Sequence, residues 1–334
     1  MSFKPTEIIF CPTSKCNLRC SHCYVKKQEE KLNILEAQNL VKDAINCHSN
    51  DIQIERIGFS GGEPFLYLDF LVELCKTTIE NDLLFDKIMT NGVWWKTGQE
   101  LRQTITTLYD SGFDGKIGLS FDSFHEQSYY SQNDFSYLQK ITIFIKTIYE
   151  IYDNPSMIEI QSVVEEETSG LTQKSFVQKF QELAKNLNFN IKFDTNNKTE
   201  LGIIWLTKNE YCIPVARTAL SLLPENLKSW KDKKWFKDDF CETTGQVLFV
   251  HSNGKIAPCC GFANEKDALC IGKITDKIST ILFCAKTNKF VNICYNDGLN
   301  NYRKSREKLG KSFPGKTQDM CMFCNYLCKK AISE

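Results

Sequence analysis

With 334 residues and 42% hydrophobic side chains, the chain is long enough for one large α/β domain plus a smaller one, and its composition argues against disorder. Lysine plus arginine equals aspartate plus glutamate at 41 each, so no global field draws the protein to nucleic acid or to an anionic membrane. No apolar run approaches about 18 residues and no secretory leader is evident, so neither membrane nor export is expected and a cytoplasmic location is. Sixteen cysteines in such a compartment point to metal and not to disulfides.

In chain order, "TEIIFCPT" (6–13), "IERIGFSGG" (54–62), "FDKIMTNG" (85–92), "KIGLSFD" (116–122), "IEIQSVV" (158–164) and "IIWLT" (203–207) read as strands. Between them, residues 33–48, 68–82, 98–112, 136–152 and 172–187 have helical spacing. Strand–helix repetition at this period predicts a parallel sheet with helices outside it. Six such strands suit an incomplete (β/α)6 barrel with functional residues at the carboxyl ends of its strands. The expected division is a barrel over 1–207, a charged, aromatic-flecked linker over 208–240, and a cysteine-dense α+β domain over 241–334, which holds nine of the sixteen cysteines.

The cysteine loop "CNLRCSHC" places Cys16, Cys20 and Cys23 four and then three residues apart, just after the first strand. A four-iron cubane normally takes four thiolates; three leave one iron open to bind a small molecule. A zinc ribbon would pair two knuckles at a distance, and this loop lacks a local fourth ligand. A chance clustering of core cysteines is the other alternative. The spacing resembles that of the radical S-adenosylmethionine (SAM) enzymes. That resemblance implies a [4Fe–4S] cluster on Cys16, Cys20 and Cys23, with SAM chelated at the open iron and cleaved reductively to a 5′-deoxyadenosyl radical. It also implies an external electron donor such as flavodoxin or ferredoxin, and puts His22 where the family usually has an aromatic against the adenine.

Three more strand ends carry motifs. "SGGEP" (60–64) offers backbone at Gly61 and Gly62 and a carboxylate at Glu63 suited to an ammonium, and with Pro64 it resembles the family's GGEP motif, which contacts the amino group of SAM. "TNG" (90–92), with Asn91, ends strand three. "SFDSFH" (120–125) ends strand four; by resemblance Ser120 and Asp122 approach the ribose or the substrate, and a helix-capping Ser and Asp is the alternative.

Near the carboxyl terminus, Cys241, Gly254 and Cys259 form C-x12-G-x4-C across a hairpin turned by Asn-Gly, and "CMFCNYLC" supplies Cys321, Cys324 and Cys328. The spacing resembles the auxiliary-cluster domain called SPASM or its shortened form, twitch, although the full SPASM series is not met after Cys328. One auxiliary [4Fe–4S] cluster on Cys241, Cys259, Cys321 and Cys324 is expected, with zinc as the alternative; Cys270, Cys284, Cys294 and Cys328 remain candidate ligands.

Cys260 cannot point the same way as Cys259 from an extended chain, so its thiol is expected to be free. Within the family, "NGVWW", "SFDSFH", "PCCGF" and the terminal C-x2-C resemble the radical SAM peptide epimerases. That likeness implies a ribosomally made peptide substrate, Cα hydrogen abstraction, and hydrogen return by Cys260 with inversion from L to D. The alternatives are a peptide cross-linking enzyme, a small-molecule dehydrogenase, and a non-catalytic iron–sulfur carrier or sensor.

Overall fold

The computed structural model describes residues 3–47, 52–130, 136–164, 169–193, 203–209, 211–241 and 245–330. Its strands are β1 (Glu7–Phe10), β2 (Arg56–Phe59), β3 (Leu84–Thr90), β4 (Lys116–Ser120), β5 (Ile158–Val164), β6 (Asn190–Phe193), β7 (Ile203–Lys208), β8 (Tyr211–Ala219), β9 (Val247–Val250), β10 (Lys255–Ala257) and β11 (Gly272–Lys273). All belong to one sheet in the order β11-β10-β9-β1-β2-β3-β4-β5-β8-β7-β6. The pairs from β9 through β1, β2, β3, β4 and β5 to β8 are parallel, so a wall of strands presents its carboxyl ends to one side.

The helices are α1 (Ile34–Asn46), α2 (Leu68–Glu80), α3 (Gly98–Asp110), α4 (Ser123–Tyr130), α5 (Tyr137–Tyr152), α6 (Ser169–Leu187), α7 (Ile278–Thr287), α8 (Lys289–Asn292), α9 (Leu299–Lys308) and α10 (Met320–Lys330). Local chemistry starts several of them. Asn33 accepts from the Glu36 amide at 3.1 Å and Thr97 from the Glu100 amide at 3.1 Å, each satisfying a donor that the first helical turn leaves open. Alternate residues of the strands then sort to two faces. Ile8, Phe10, Leu248 and Val250 join the main core under the helices, whereas Ile9, Cys11, Val247 and Phe249 form a small separate cluster on the other face.

The α/β fold with a parallel sheet and a cysteine-rich carboxyl-terminal region is as expected. Two details differ. "IIWLT" is β7, which runs antiparallel to both β6 and β8; the sixth parallel position after β5 belongs to β8, inside the interval read as linker. The strand pattern thus continues past Lys208. Pro214 obscured it: proline lacks an amide proton, and here it sits one residue ahead of where pairing with β5 begins at Val215. Moreover, the β9–β10 hairpin of the cysteine-rich region joins the main sheet beside β1.

Candidate active site

The loops after β1, β2, β3 and β4 converge on a cavity of about 460 Å³ at the carboxyl ends of the strands. Cys16, Cys20 and Cys23 line it, as do His22, Gly61, Gly62, Asn91 and Ser120; Glu63, Pro64 and Asp122 stand behind its wall.

The glycine pair is explained by the cysteine loop. A Cβ on Gly61, whose φ is +117°, would lie 2.2 Å from Cys11 Sγ, and one on Gly62 would lie 2.2 Å from the Lys15 carbonyl oxygen. The Gly62 amide donates to the Thr13 carbonyl (3.0 Å) and the Glu63 amide to that of Lys15 (2.8 Å), so β2 clamps the base of the loop at a distance only glycine permits. From the other side, the Arg19 amide donates to Ser128 Oγ of α4 at 2.6 Å.

Glu63 turns inward instead of toward the cavity. Its carboxylate, fully buried, accepts from Thr90 Oγ1 (2.8 Å), the Asn91 amide (2.8 Å) and the Phe65 amide (3.3 Å). Burial raises its pKa to about 7 against the pull of these donors. The carboxylate thus fixes the "TNG" turn, and Asn91 Nδ2 in turn donates to Asn17 Oδ1 (2.8 Å) and approaches Cys16 Sγ at 3.7 Å. Burial, then the charge of Glu63, raises the Cys16 pKa. Lys27 answers this: burial lowers its pKa, but the neighbouring Cys16, Cys23 and Cys20 thiols raise it by more.

Asp122 is the capping residue at the start of α4. Its Oδ1 accepts from the His125 amide (2.9 Å) and pairs with His125 Nδ1 (2.8 Å), while Oδ2 accepts from the Val163 amide at 3.4 Å. Burial opposes the charge on His125, but Asp122 and a hydrogen bond to Cys20 outweigh it and raise the pKa to about 10. His22 packs over Phe124 and His125 with ring centroids 4.7 and 5.1 Å away, and burial followed by the His125 charge lowers its pKa to about 4. The ligand atoms of His22, Asp122 and His125 lie within 4.8 Å of one another, a spacing that would suit a metal ion. Asp122 is nevertheless engaged on both oxygens, which makes this an ion pair with a histidine packed edge-on against it.

Among the described residues, the three side chains with ligand atoms gathered within 4.8 Å are His22, Asp122 and His125, and no three cysteine sulfurs of either set are gathered as closely.

The second set is a knot behind the hairpin. Cys294 Sγ, on a π-helical turn (Ile293–Asp297), lies 3.7 Å from Cys324 Sγ of α10, and hydrogen bonds from Cys294 and Cys328 lower the Cys324 pKa. Cys259 interacts with Cys324 and Cys321, and Cys321 with Cys241. Of the four expected ligands, Cys259, Cys321 and Cys324 thus act on one another, the exposed Cys241 acts on Cys321, and Cys294 and Cys328 are drawn to Cys324 as well. Cys270 lies apart, donating to the Gly272 carbonyl at 3.5 Å and lining the cavity. Cys260 leaves the knot and packs on the inner-face cluster of Ile9, Cys11, Val247 and Phe249.

The sequence assigns no role to Cys11, Lys27, Thr90, His125, His251 or Asn264. Thr90 and His125 lie inside the motifs "TNG" and "SFDSFH", and His125 stands three residues after the capping Asp122; the others depend on chain crossings that no local pattern encodes.

Residues 10–154 match the family model described as the Radical SAM superfamily, and this stretch is a radical SAM domain. GTP 3′,8-cyclase of Chlorobaculum tepidum is 31% identical over 124 residues, 36% of this chain and 33% of that protein, and a probable GTP 3′,8-cyclase of Methanococcus maripaludis is 29% identical over 118 residues. The chain thus spans about a third of the length of these curated relatives. The fold is similar to that of Streptococcus suis SuiB (TM-score 0.57, 14% identity, 96% of this chain and 77% of that one). It is also similar to native anSMEcpe with bound AdoMet and Cp18Cys peptide (TM-score 0.51, 17% identity, 98% and 97%). SuiB has also been solved bound to the precursor peptide SuiA. No described helix is long and apolar enough to cross a membrane.

Proposed function

We propose that the protein is a radical SAM enzyme that epimerises a residue of a ribosomally made peptide. The observation that carries this reading is the divergence of Cys259 and Cys260. Cys259 joins the buried knot, while its neighbour packs with Cys11 and Phe249, which line the same cavity as the three-cysteine loop.

In this reading Cys16, Cys20 and Cys23 hold a [4Fe–4S] cluster, and the backbone of Gly61 and Gly62, with His22, Asn91 and Ser120, cradles SAM. Bound there, cluster and SAM supply a 5′-deoxyadenosyl radical as the reagent that removes a hydrogen atom. Glu63 and the Asp122–His125 pair act behind the wall, fixing the loops. Cys260 returns a hydrogen atom to the substrate Cα from the far side: its S–H bond breaks, the Cα–H bond forms, and the sulfur radical left behind takes one electron from an external low-potential donor such as flavodoxin or ferredoxin and one proton from solvent. Residues 241–334 form the auxiliary unit, with a second cluster held by Cys259 and Cys324 and completed from Cys241, Cys294, Cys321 and Cys328. The neighbours solved with peptides support a peptide substrate.

The test is an anaerobic reaction of the reconstituted protein with SAM, reductant and the short peptide encoded beside its gene, run in D2O and read by mass spectrometry. Thiol hydrogens exchange with solvent, so each inverted residue gains about one dalton at Cα, and Cys260→Ala abolishes the gain. A product about two daltons lighter would replace epimerisation by cross-linking or dehydrogenation. Turnover of GTP in place of peptide would move the protein toward the cyclases.

A further inference from the structure

The cavity has a second end, remote in sequence from the three-cysteine loop, built by the β9–β10 hairpin and the segment after it. His251 and Asn264 both line it, at 9% and 4% exposure. Each buries a polar atom without a hydrogen-bond partner: His251 Nε2 and Asn264 Oδ1. Buried polar groups are nearly always paired, so these two residues of one wall each keep an acceptor unused just beneath the cavity surface, where a ligand can complete it.

Both atoms are acceptors. His251 Nδ1 faces Glu265 Oε1 at 3.6 Å and the ring hydrogen-bonds to the backbone of Asn264, so the ring proton resides on Nδ1 and the lone pair on Nε2. The ring is further fixed by Phe249, whose centroid is 4.9 Å away. Asn264 Nδ2 donates to the Cys259 carbonyl at 3.1 Å, which leaves Oδ1 as the free acceptor. Lys26, Lys255 and Lys266 line the same end together with Glu30, Glu265 and Asp267, and Lys255 pairs with Asp267 at 2.6 Å, so the wall carries no net charge that calls for an ion and neutral N–H groups suit the two acceptors.

We propose that His251 and Asn264 form a two-acceptor subsite that binds neutral N–H groups of a peptide main chain. The subsite thereby fixes which residue lies beside Phe249 and Cys260. This rests on the peptide reading above and names the residues that would set its register.

The experiment uses the full reconstituted chain with SAM and no reductant, so that only binding is read. The probe is the synthetic peptide encoded beside the gene, made unmodified and as a series with one backbone N-methyl at each position. In the wild type, methylation at one position or two neighbouring ones weakens binding about tenfold or more. His251→Phe weakens the parent peptide to a similar degree and abolishes the selective effect of those methyl groups, while His251→Gln, which keeps an acceptor, restores part of both. Iron content and SAM affinity report that each variant is folded, and the Gln variant carries the comparison if Phe disturbs the hairpin. Equal affinity of wild type and His251→Phe for the parent, or the same methyl profile in both, overturns the subsite. Failure of the parent peptide to bind the wild type, with SAM bound normally, overturns the peptide reading and the subsite with it.

Discussion

Replacing Glu63 by Gln tests whether this carboxylate positions the loops or reaches the cofactor. Its pKa stands at about 7 in the folded protein against an ordinary value of 4.5, with burial as the main cause. Between these values the folded state holds a proton that the unfolded state has released, so stability falls as pH rises and the full penalty is present above about pH 7. At about 1.4 kcal/mol per pH unit, the penalty is about 3 kcal/mol. Glutamine does not titrate and escapes it. One amide oxygen can still accept from the Asn91 amide, but the Phe65 amide and the Thr90 hydroxyl lose their shared acceptor, at a cost of about 1 kcal/mol. Glu63→Gln is therefore expected to be about 2 kcal/mol more stable than the wild type at pH 8 and about 1 kcal/mol less stable below pH 4.5, so the two stability curves cross. Urea unfolding of both metal-free proteins across this range measures the difference directly, since all other titrating groups cancel. SAM affinity of the reconstituted proteins should agree within a few-fold, because the side chain stands behind the cavity wall. Parallel stability curves, or a loss of SAM affinity of about a hundredfold, would refute the reasoning and return the carboxylate to the cofactor's ammonium.

Gly62→Ala should push the cysteine loop off β2, because the new methyl meets the Lys15 carbonyl at 2.2 Å and backbone cannot yield cheaply; a loss of about 3 kcal/mol by urea unfolding, with reduced iron content, is expected. Asp122→Asn leaves the His125 imidazolium without its partner and should lower stability by about 3 kcal/mol at pH 7; an unchanged urea midpoint would show that the pair is idle. In the cysteine knot, Cys324→Ser should remove about half of the reconstituted iron, with the three-cysteine cluster's electron paramagnetic resonance signal retained. Cys284→Ser, on α7 and outside the knot, should leave the iron content at the wild-type level; equal losses in both variants would argue against a cluster at the knot.

Much of this architecture was legible because the signals were local. The first five parallel strands and their helices announce themselves by hydrophobic period, and the three-cysteine loop, "SGGEP", "TNG" and "SFDSFH" fall at successive strand ends. Local pattern failed where pairing is non-local. Nothing in "IIWLT" distinguishes an antiparallel strand from a parallel one, and Pro214 broke the signature of β8.

The sequence by itself determined that thiols would be grouped and that the glycine pair of "SGGEP" must stay small, because spacing and the lack of a side chain are local properties. Only the tertiary structure decided where each thiol goes: Cys260 onto the inner face of β1 and β9, and Cys294 beside Cys324, 30 residues further along the chain, where Cys328 joins it from the next turn of α10. It also turned Glu63 away from the cavity and left His251 and Asn264, which line it, each with an unpaired acceptor beneath its wall. These outcomes depend on which strand lies beside which, and chain crossing is a property of the packed whole that no short stretch of sequence carries.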